Sequence, residues 1–237
     1  MEESKVIEYL SEFGLTRQEA VIYQNLSKNG MQTGYEVAKQ TGISRSNAYN
    51  ALAGLVEKGA AYSCEGSATK YEAVEIEEFC TNKLRSLTKK KDYLATHLPK
   101  ERQTDEGYLT IRGDEQILHK IKNMLLAAQK RVYLSMSDSQ LEQFLPELTE
   151  LSKNKIKIVL LTNNTRNIDW ATVYQCEIAE HQIGVITDSG YVLTGELGNG
   201  ADSTCLYSGQ KNLVRIFKDY LKNEIQLIAL TGGKSNE

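Results

Sequence analysis

The apolar residues between positions 43 and 59 recur every three or four positions, which predicts an amphipathic helix. Ser44 is suited to cap the start of this helix, and Gly59 is suited to end it. The inward face then carries Ala48, Ala51 or Leu52, and Leu55. The first turns carry hydrogen-bonding side chains instead, namely Arg45, Ser46, Asn47 and Asn50. Such side chains contact base edges and phosphates in a DNA major groove, although the pattern alone also fits a solvated surface helix.

Three shorter helices are predicted before this one, the first over residues 3–12. Thr16 caps the second helix, and Glu19 stands three residues later, where it completes a capping box. Thr33 begins the third helix, which ends near residue 41. Because only a short turn separates it from Ser44, the third and fourth helices are predicted to form a helix-turn-helix.

After Gly59 the apolar pattern changes to alternation. Two short alternating runs, 60–64 and 69–74, flank Gly66 and predict a β-hairpin. A hairpin directly after the fourth helix makes the unit a winged helix-turn-helix. Lys70 lies where a wing contacts the phosphate backbone, and the alternative interpretation is an exposed strand lysine.

One long helix is predicted from residue 75 to about residue 97, with apolar residues at heptad spacing. This seam consists of Cys80, Leu84, Leu87, Lys91, Leu94 and Leu98, with Lys91 as a polar break. The seam favours pairing with a second subunit, and the alternative is packing against its own domain. The charged and polar stretch 100–106 predicts a linker.

From Gly107 onwards, predicted strands alternate with predicted helices, which is typical of an α/β sheet covered by helices. The strands are expected at 108–111, 131–136, 155–161, 173–176, 182–187, 191–194 and 204–207. The helices are expected from Asp114 to about Lys130, from Asp138 or Ser139 through Leu151, and from Lys211 to Leu230. The predicted fold class is α+β with several domains: a winged helix-turn-helix over 1–74, a linking helix and linker over 75–106, and an α/β domain over 107–237.

The first third of the chain resembles the TrmB family of transcriptional regulators. The segments that carry the resemblance are Phe13-Gly14-Leu15-Thr16, Glu36-Val37-Ala38, Gly42-Ile43-Ser44-Arg45-Ser46, Leu55-Val56-Glu57-Lys58-Gly59 and Lys70-Tyr71-Glu72-Ala73-Val74. The resemblance implies binding of promoter DNA as a homodimer, with the long helix as the dimerisation element. It also implies that the C-terminal part senses a small-molecule effector such as a sugar. The expected DNA contacts are Thr33, Ser44, Arg45, Ser46, Asn47, Asn50 and Lys70.

A second resemblance concerns the α/β domain. His181, followed seven residues later by Asp188, looks like the phospholipase D signature, in which a lysine lies two residues after the histidine. Here that position is Ile183, and Glu196 replaces a downstream serine, so the resemblance implies a phospholipase-D-like fold that has lost its phosphodiester chemistry. The alternative is a strand histidine that is satisfied by a hydrogen bond. His181, Asp188 and Glu196 are nevertheless expected to line an effector groove shared by two subunits.

Composition and charge narrow the classes of function. The 237 residues have 41% hydrophobic and 25% charged content, with neither an apolar run long enough to span a membrane nor a signal-peptide core, so a cytoplasmic protein is expected. The four cysteines lie far apart, and no metal site, disulfide framework or cofactor is expected. The net charge of −3 does not indicate nucleic-acid binding, so a DNA site has to be a local patch.

Three functions are compatible with the sequence. The first is a DNA-binding transcriptional regulator without enzymatic activity. The second is a phosphodiesterase or nuclease that a winged helix targets to its substrate, and the missing lysine disfavours it. The third is an adaptor whose winged helix binds protein, and the acidic net charge keeps this alternative open.

Overall fold

The computed structural model consists of two units, Met1–Lys100 and Glu101–Glu237, and each unit has its own apolar core residues. The structure describes residues 2–66, 68–99, 107–163, 168–231 and 235–236. The predicted linker 100–106 therefore lies outside the described residues. None of the helices in the described ranges is both long enough and apolar enough to cross a membrane.

The described residues of the first unit form five helices, and local capping explains where most of them begin. Their bounds are Glu2–Glu12 (α1), Arg17–Asn29 (α2), Gly34–Thr41 (α3), Arg45–Glu57 (α4) and Ile76–His97 (α5). Thr16 and Glu19 form the predicted capping box of α2, and the Ser44 hydroxyl accepts a hydrogen bond from the Asn47 backbone N–H at the start of α4. Thr33 caps α3 in a second capping box. The predicted order of these helices is confirmed, and their bounds agree with the predicted ones to within one or two residues.

The wing is a three-stranded antiparallel sheet rather than the predicted two-stranded hairpin. Its strands are Gln32–Thr33 (β1), Ala61–Cys64 (β2) and Lys70–Ala73 (β3), in the order β1-β3-β2. Because β1 has only two residues, it is too short to show an alternating pattern, and the sequence did not predict it. The pairing places Thr33 opposite Lys70 and thereby connects the start of α3 to the wing.

The second unit is built on an eight-stranded mixed sheet. Its strands are Leu109–Arg112 (β4), Arg131–Met136 (β5), Lys157–Thr162 (β6), Thr172–Gln175 (β7), Gln182–Thr187 (β8), Tyr191–Glu196 (β9), Thr204–Ser208 (β10) and Ser235–Asn236 (β11). Their order is β11-β7-β6-β5-β8-β9-β10-β4, and β5, β6 and β7 are parallel. Five successive residues of β6 are buried, as expected of a strand covered on both faces.

Helices cover both faces of this sheet. They are Asp114–Ala127 (α6), Asp138–Leu141 (α7), Leu145–Lys153 (α8) and Lys211–Thr231 (α9). One apolar core joins α6 and α8 to one face, and a smaller core joins α9 to the other. The predicted fold class, a winged helix-turn-helix followed by a separate α/β domain, is confirmed.

Two helix predictions in this unit were wrong in detail. The helix expected from Asp138 or Ser139 through Leu151 is broken by a 3₁₀ turn, because Pro146 suits only the first turn of a new helix. Asp114 was expected to cap α6, which was to run to about Lys130, but the N-cap is Gly113 and the helix ends at Ala127. The Asp114 carboxylate instead accepts hydrogen bonds from backbone N–H groups of the loop that follows β9.

Candidate nucleic-acid interface

The first turns of α4 present a polar surface on a fixed base. Arg45, Ser46, Asn47 and Asn50 are all exposed, and so is the capping residue Ser44. The opposite side of the same helix is fixed in the core by Ala48, Ala51, Leu52 and Leu55. Burial of that side therefore determines which side chains of α4 face solvent, as the sequence pattern predicted.

The Arg45 side chain is held by a neighbouring helix. Its guanidinium carbon lies 4.6 Å from the centroid of the Tyr35 ring, in the first turn of α3. A guanidinium that lies over an aromatic ring contacts the ring with its face. The N–H groups at its edge then stay free to donate to two acceptors at once. Tyr35 is thus a functional candidate that the sequence analysis missed, because this contact between helices has no local pattern.

The ring of a second tyrosine, Tyr49, lies close to Gly34 at the start of α3. A Cβ atom added at Gly34 would lie 2.5 Å from Cε1 of Tyr49, so a larger residue there would require the half-exposed Tyr49 ring to shift. The Tyr49 ring, on α4, therefore lies directly against the start of α3. Gly34 thus allows the Tyr49 ring to lie close to the first turn of α3.

Thr33 and Lys70 lie side by side, next to a carboxylate. The Thr33 hydroxyl donates to Oε2 of Glu36 at 2.8 Å and accepts from the Glu36 backbone N–H, so its capacity for hydrogen bonds is largely used within the cap. Hydrogen bonds from the Thr33 backbone and hydroxyl lower the pKa of Glu36, and Lys70 adds to this effect. Glu36 is therefore ionised at neutral pH and offsets part of the positive charge that Lys70 supplies at the wing.

The leucines of the α5 seam are not covered by their own unit. Phe79 is buried and Cys80 is partly buried, so the start of α5 is anchored in the first core. Further along, Leu84, Leu87, Leu94 and Leu98 are 47–59% exposed. Packing of these four leucines on their own domain, one of the two alternatives for the seam, is therefore not what the structure shows.

The three predicted effector residues do not share one groove. His181 and Glu196 lie at the same end of the β8–β9 hairpin, where Gln182 pairs with Glu196. Asp188 lies in the turn at the other end, about 20 Å away at the usual rise of a strand. The expectation of a single groove was wrong for Asp188, because a six-residue strand separates it from His181.

The Asp188 carboxylate has a structural role. It accepts hydrogen bonds from the backbone N–H groups of Gln129, Lys130 and Arg131 at 2.7–2.9 Å, which fixes the start of β5. Burial by itself raises the pKa of Asp188, but these three donors lower it, and the net pKa lies below the ordinary value for aspartate. The ionised form is thus the one that the fold stabilises.

Replacing Asp188 by asparagine is expected to destabilise the α/β unit by about 1–2 kcal/mol at neutral pH, because an amide group cannot accept at both positions. Asparagine tolerates the positive φ of 51° at this position, so the loss of stability is due to the hydrogen bonds and not to backbone strain. The pKa of Asp188 is lower in the folded than in the unfolded state. The higher free energy of unfolding of the wild type is therefore fully present above the unfolded pKa of about 3.9, and it is lost as the pH falls through the folded pKa. Thermal unfolding at several pH values measures it.

The matched control is Asp202→Asn, which changes an exposed aspartate in the same unit. We expect no change in melting temperature for this variant. An equal loss in both variants, or a loss in Asp188→Asn that is the same at pH 3 and pH 7, would contradict the proposed role of the ionised carboxylate.

At the other end of the hairpin, the lysine position of the phospholipase D signature carries no cation. Ile183, which stands at the lysine position of the phospholipase D signature, is buried in the core. The Glu196 carboxylate accepts a hydrogen bond from the Asn199 side chain, and the following loop is fixed by Asp114, which accepts from Gly198 and Gly200 backbone N–H groups at 2.8 Å. In the part of the chain that the structure describes, no group of His, Cys, Asp and Glu residues is arranged to hold a metal ion.

Two family models match the chain. The model described as "Sugar-specific transcriptional regulator TrmB" matches residues 10–77, which include the helix-turn-helix and the wing. The model described as "Transcriptional regulator TrmB, EBD N-terminal subdomain" matches residues 108–225, which make up most of the α/β unit. The two matches agree with each other and together cover most of the chain.

Individual proteins are similar over different lengths. YrhO of Bacillus subtilis (strain 168) is 25% identical over 236 residues, which cover 95% of this chain and 86% of YrhO. The solved structure of TrmBL2, an archaeal chromatin protein, is 19% identical, covers 99% of this chain and all of its own, and has a TM-score of 0.46. Nuc, a phospholipase D family member from Salmonella typhimurium, is 11% identical, covers 55% of this chain and 99% of its own, and has a TM-score of 0.41.

Proposed function

The chain belongs to the TrmB family of transcriptional regulators, and we propose that it binds specific DNA sequences as a homodimer and that its α/β domain senses a small-molecule effector. The family consists of regulators rather than enzymes. The observation that carries the proposal is the exposed first two turns of α4, with Arg45 held over the Tyr35 ring.

The proposed DNA contacts follow from the chemistry of these side chains. With α4 in the major groove, Arg45 pairs with the O6 and N7 acceptors of a guanine, and Asn47 or Asn50 pairs with an adenine. The hydroxyl groups of Ser44 and Ser46 contact phosphates or base edges. At the wing, Lys70 contacts the phosphate backbone beside Thr33, whose main contribution is to hold the start of α3.

The proposed homodimer uses the exposed leucines of α5. About half of the surface of each seam leucine is exposed in the single subunit, and pairing with the same seam of a second copy would cover it. These leucines are Leu84, Leu87, Leu94 and Leu98. Two copies related by a two-fold axis present two α4 helices, which matches the symmetry of a palindromic operator.

The proposed effector is a sugar, in keeping with the description of the matching family model. His181 and Glu196 are the proposed contacts, because they lie at the same end of the β8–β9 hairpin and both are accessible from solvent. Asp188 is not included, since its carboxylate is occupied by backbone N–H groups.

Selection of bound duplexes from a random pool tests the proposal. We expect a palindrome whose half-sites lie about 10 base pairs apart, centre to centre, or at a multiple of that spacing. Affinity for the selected duplex should fall steeply with salt, with a logarithmic slope of about −0.9 for each phosphate neutralised. A pool without any enriched sequence would contradict sequence-specific binding, and binding to protein without any to DNA would favour the adaptor alternative.

A further inference from the structure

A groove runs along α9, where this helix crosses the sheet. It consists of two adjoining clefts of about 350 Å³ and about 290 Å³, and both are lined by Lys218 and Asp219. Volumes of this size are those of ligand pockets for small organic molecules. The groove lies beside the β8–β9 turn, at the end of the hairpin that is remote from His181 and Glu196.

One side of the groove is basic. Lys211, Arg215, Lys218 and Lys222 are spaced four, three and four residues apart, so they form one stripe on α9. Within the described residues, none of these four cations has a carboxylate within 4 Å, and Asp219 is the acidic residue that lines the clefts. The first cleft also opens at the N-terminus of α9, whose backbone N–H groups favour an anion.

The floor of the groove is apolar. Tyr133 and Ile186 from the sheet, together with Leu221 and Ile225 from α9, line the second cleft. At the other end Gly190 and Gly209 leave room beside the basic stripe. An anion alone would leave this apolar floor exposed, and a purely apolar molecule would leave four cations without a partner.

We propose that this groove binds a small organic phosphate, with the phosphate at the basic stripe and a flat apolar part on the floor beside Tyr133 and Ile186. The volumes of the two clefts and their apolar floor favour a small molecule over duplex DNA, because DNA phosphates would contact the basic stripe and leave the floor uncovered. The inference goes beyond the proposed sugar site at His181 and Glu196, and binding at the groove is measured without DNA.

The dye 1-anilinonaphthalene-8-sulfonate has the required chemistry, since it carries one anionic group on a flat apolar body and becomes fluorescent in apolar surroundings. We expect it to bind the full-length protein at one principal site. Adenosine triphosphate should displace it, whereas adenosine, which has the flat body without phosphate, should not. The double variant Arg215→Glu/Lys218→Glu should bind the dye at least tenfold more weakly, because it reverses two charges of the basic stripe.

The matched control is Lys153→Glu, which makes the same kind of charge reversal on α8, on the opposite face of the sheet. It should bind the dye like the wild type, and circular dichroism should show that all variants are folded. Unchanged dye affinity in the double variant, or displacement by adenosine as effective as that by adenosine triphosphate, would overturn the assignment. A wild-type protein that binds the dye as expected but enriches no DNA sequence would contradict only the proposed function.

Discussion

Arg45→Ala is expected to weaken binding of the selected duplex by about tenfold to hundredfold, because a bidentate arginine–guanine pair contributes about 1–3 kcal/mol of discrimination. The loss should be largest for the preferred sequence, since the same variant binds non-specific DNA through its remaining phosphate contacts. Fluorescence anisotropy with the selected duplex and with a duplex altered at the guanine measures both affinities. A guanine contact predicts that the variant no longer distinguishes them.

Variants of Tyr35 test how much the orientation of the Arg45 side chain contributes to DNA binding, because they leave its charge unchanged. Tyr35→Phe retains the aromatic face and should bind DNA like the wild type. Tyr35→Ala leaves Arg45 without its ring and should weaken binding about twofold to fivefold, which corresponds to the 0.5–1 kcal/mol of an exposed cation–π contact. Equal losses in Tyr35→Phe and Tyr35→Ala would point to the hydroxyl group instead of the stacking.

Arg17→Ala is the matched control, because Arg17 is an exposed arginine at the start of α2. This part of α2 lies against the C-terminal end of α4, where Glu19 pairs with Lys58, and not against the first turns that carry Arg45. It removes the same charge without the proposed contact and should change affinity less than twofold. If Arg45→Ala and Arg17→Ala bind equally well and both are folded by circular dichroism, α4 is not the element that contacts DNA.

Most of the fold was predicted from patterns that lie within a single helix or strand. Capping residues and apolar spacing act within one helix, so Thr16, Thr33 and Ser44 located helix starts that the structure confirms. Contacts between distant segments have no such signal. The short strand β1 and the stacking of Arg45 on Tyr35 both depend on how helices and strands pack, and neither could be predicted from spacing along the chain.

The same limit explains the predicted effector groove. The spacing of His181 and Asp188 suggested one site, but β8 lies between them and carries them to opposite ends of the hairpin. His181 and Glu196 came together because strand pairing, rather than sequence distance, brings residue 182 opposite residue 196. A motif spacing thus indicates a shared site only when the backbone between its residues brings them together, which the extended strand β8 does not do.

Leu87→Glu/Leu94→Glu is expected to convert the proposed homodimer into monomers. Each leucine is about half exposed in the single subunit, and covering it in a paired seam would contribute up to about 1.5–3 kcal/mol. Four glutamates facing one another across a two-fold axis would also repel. Sedimentation velocity should therefore show a dimer for the wild type and a monomer for the variant, with at least a hundredfold weaker association.

The DNA affinity of this variant links dimerisation to operator recognition. A monomer keeps α4 and should bind a half-site as the wild-type subunit does, but it loses the gain from two linked contacts on the full palindrome. Leu126→Glu is the matched control, since Leu126 is an exposed leucine of α6 that is not part of the seam. If the double variant remains a dimer at the concentrations where the wild type is one, α5 is not the dimer interface, and binding of the palindrome then depends on another surface of the subunit.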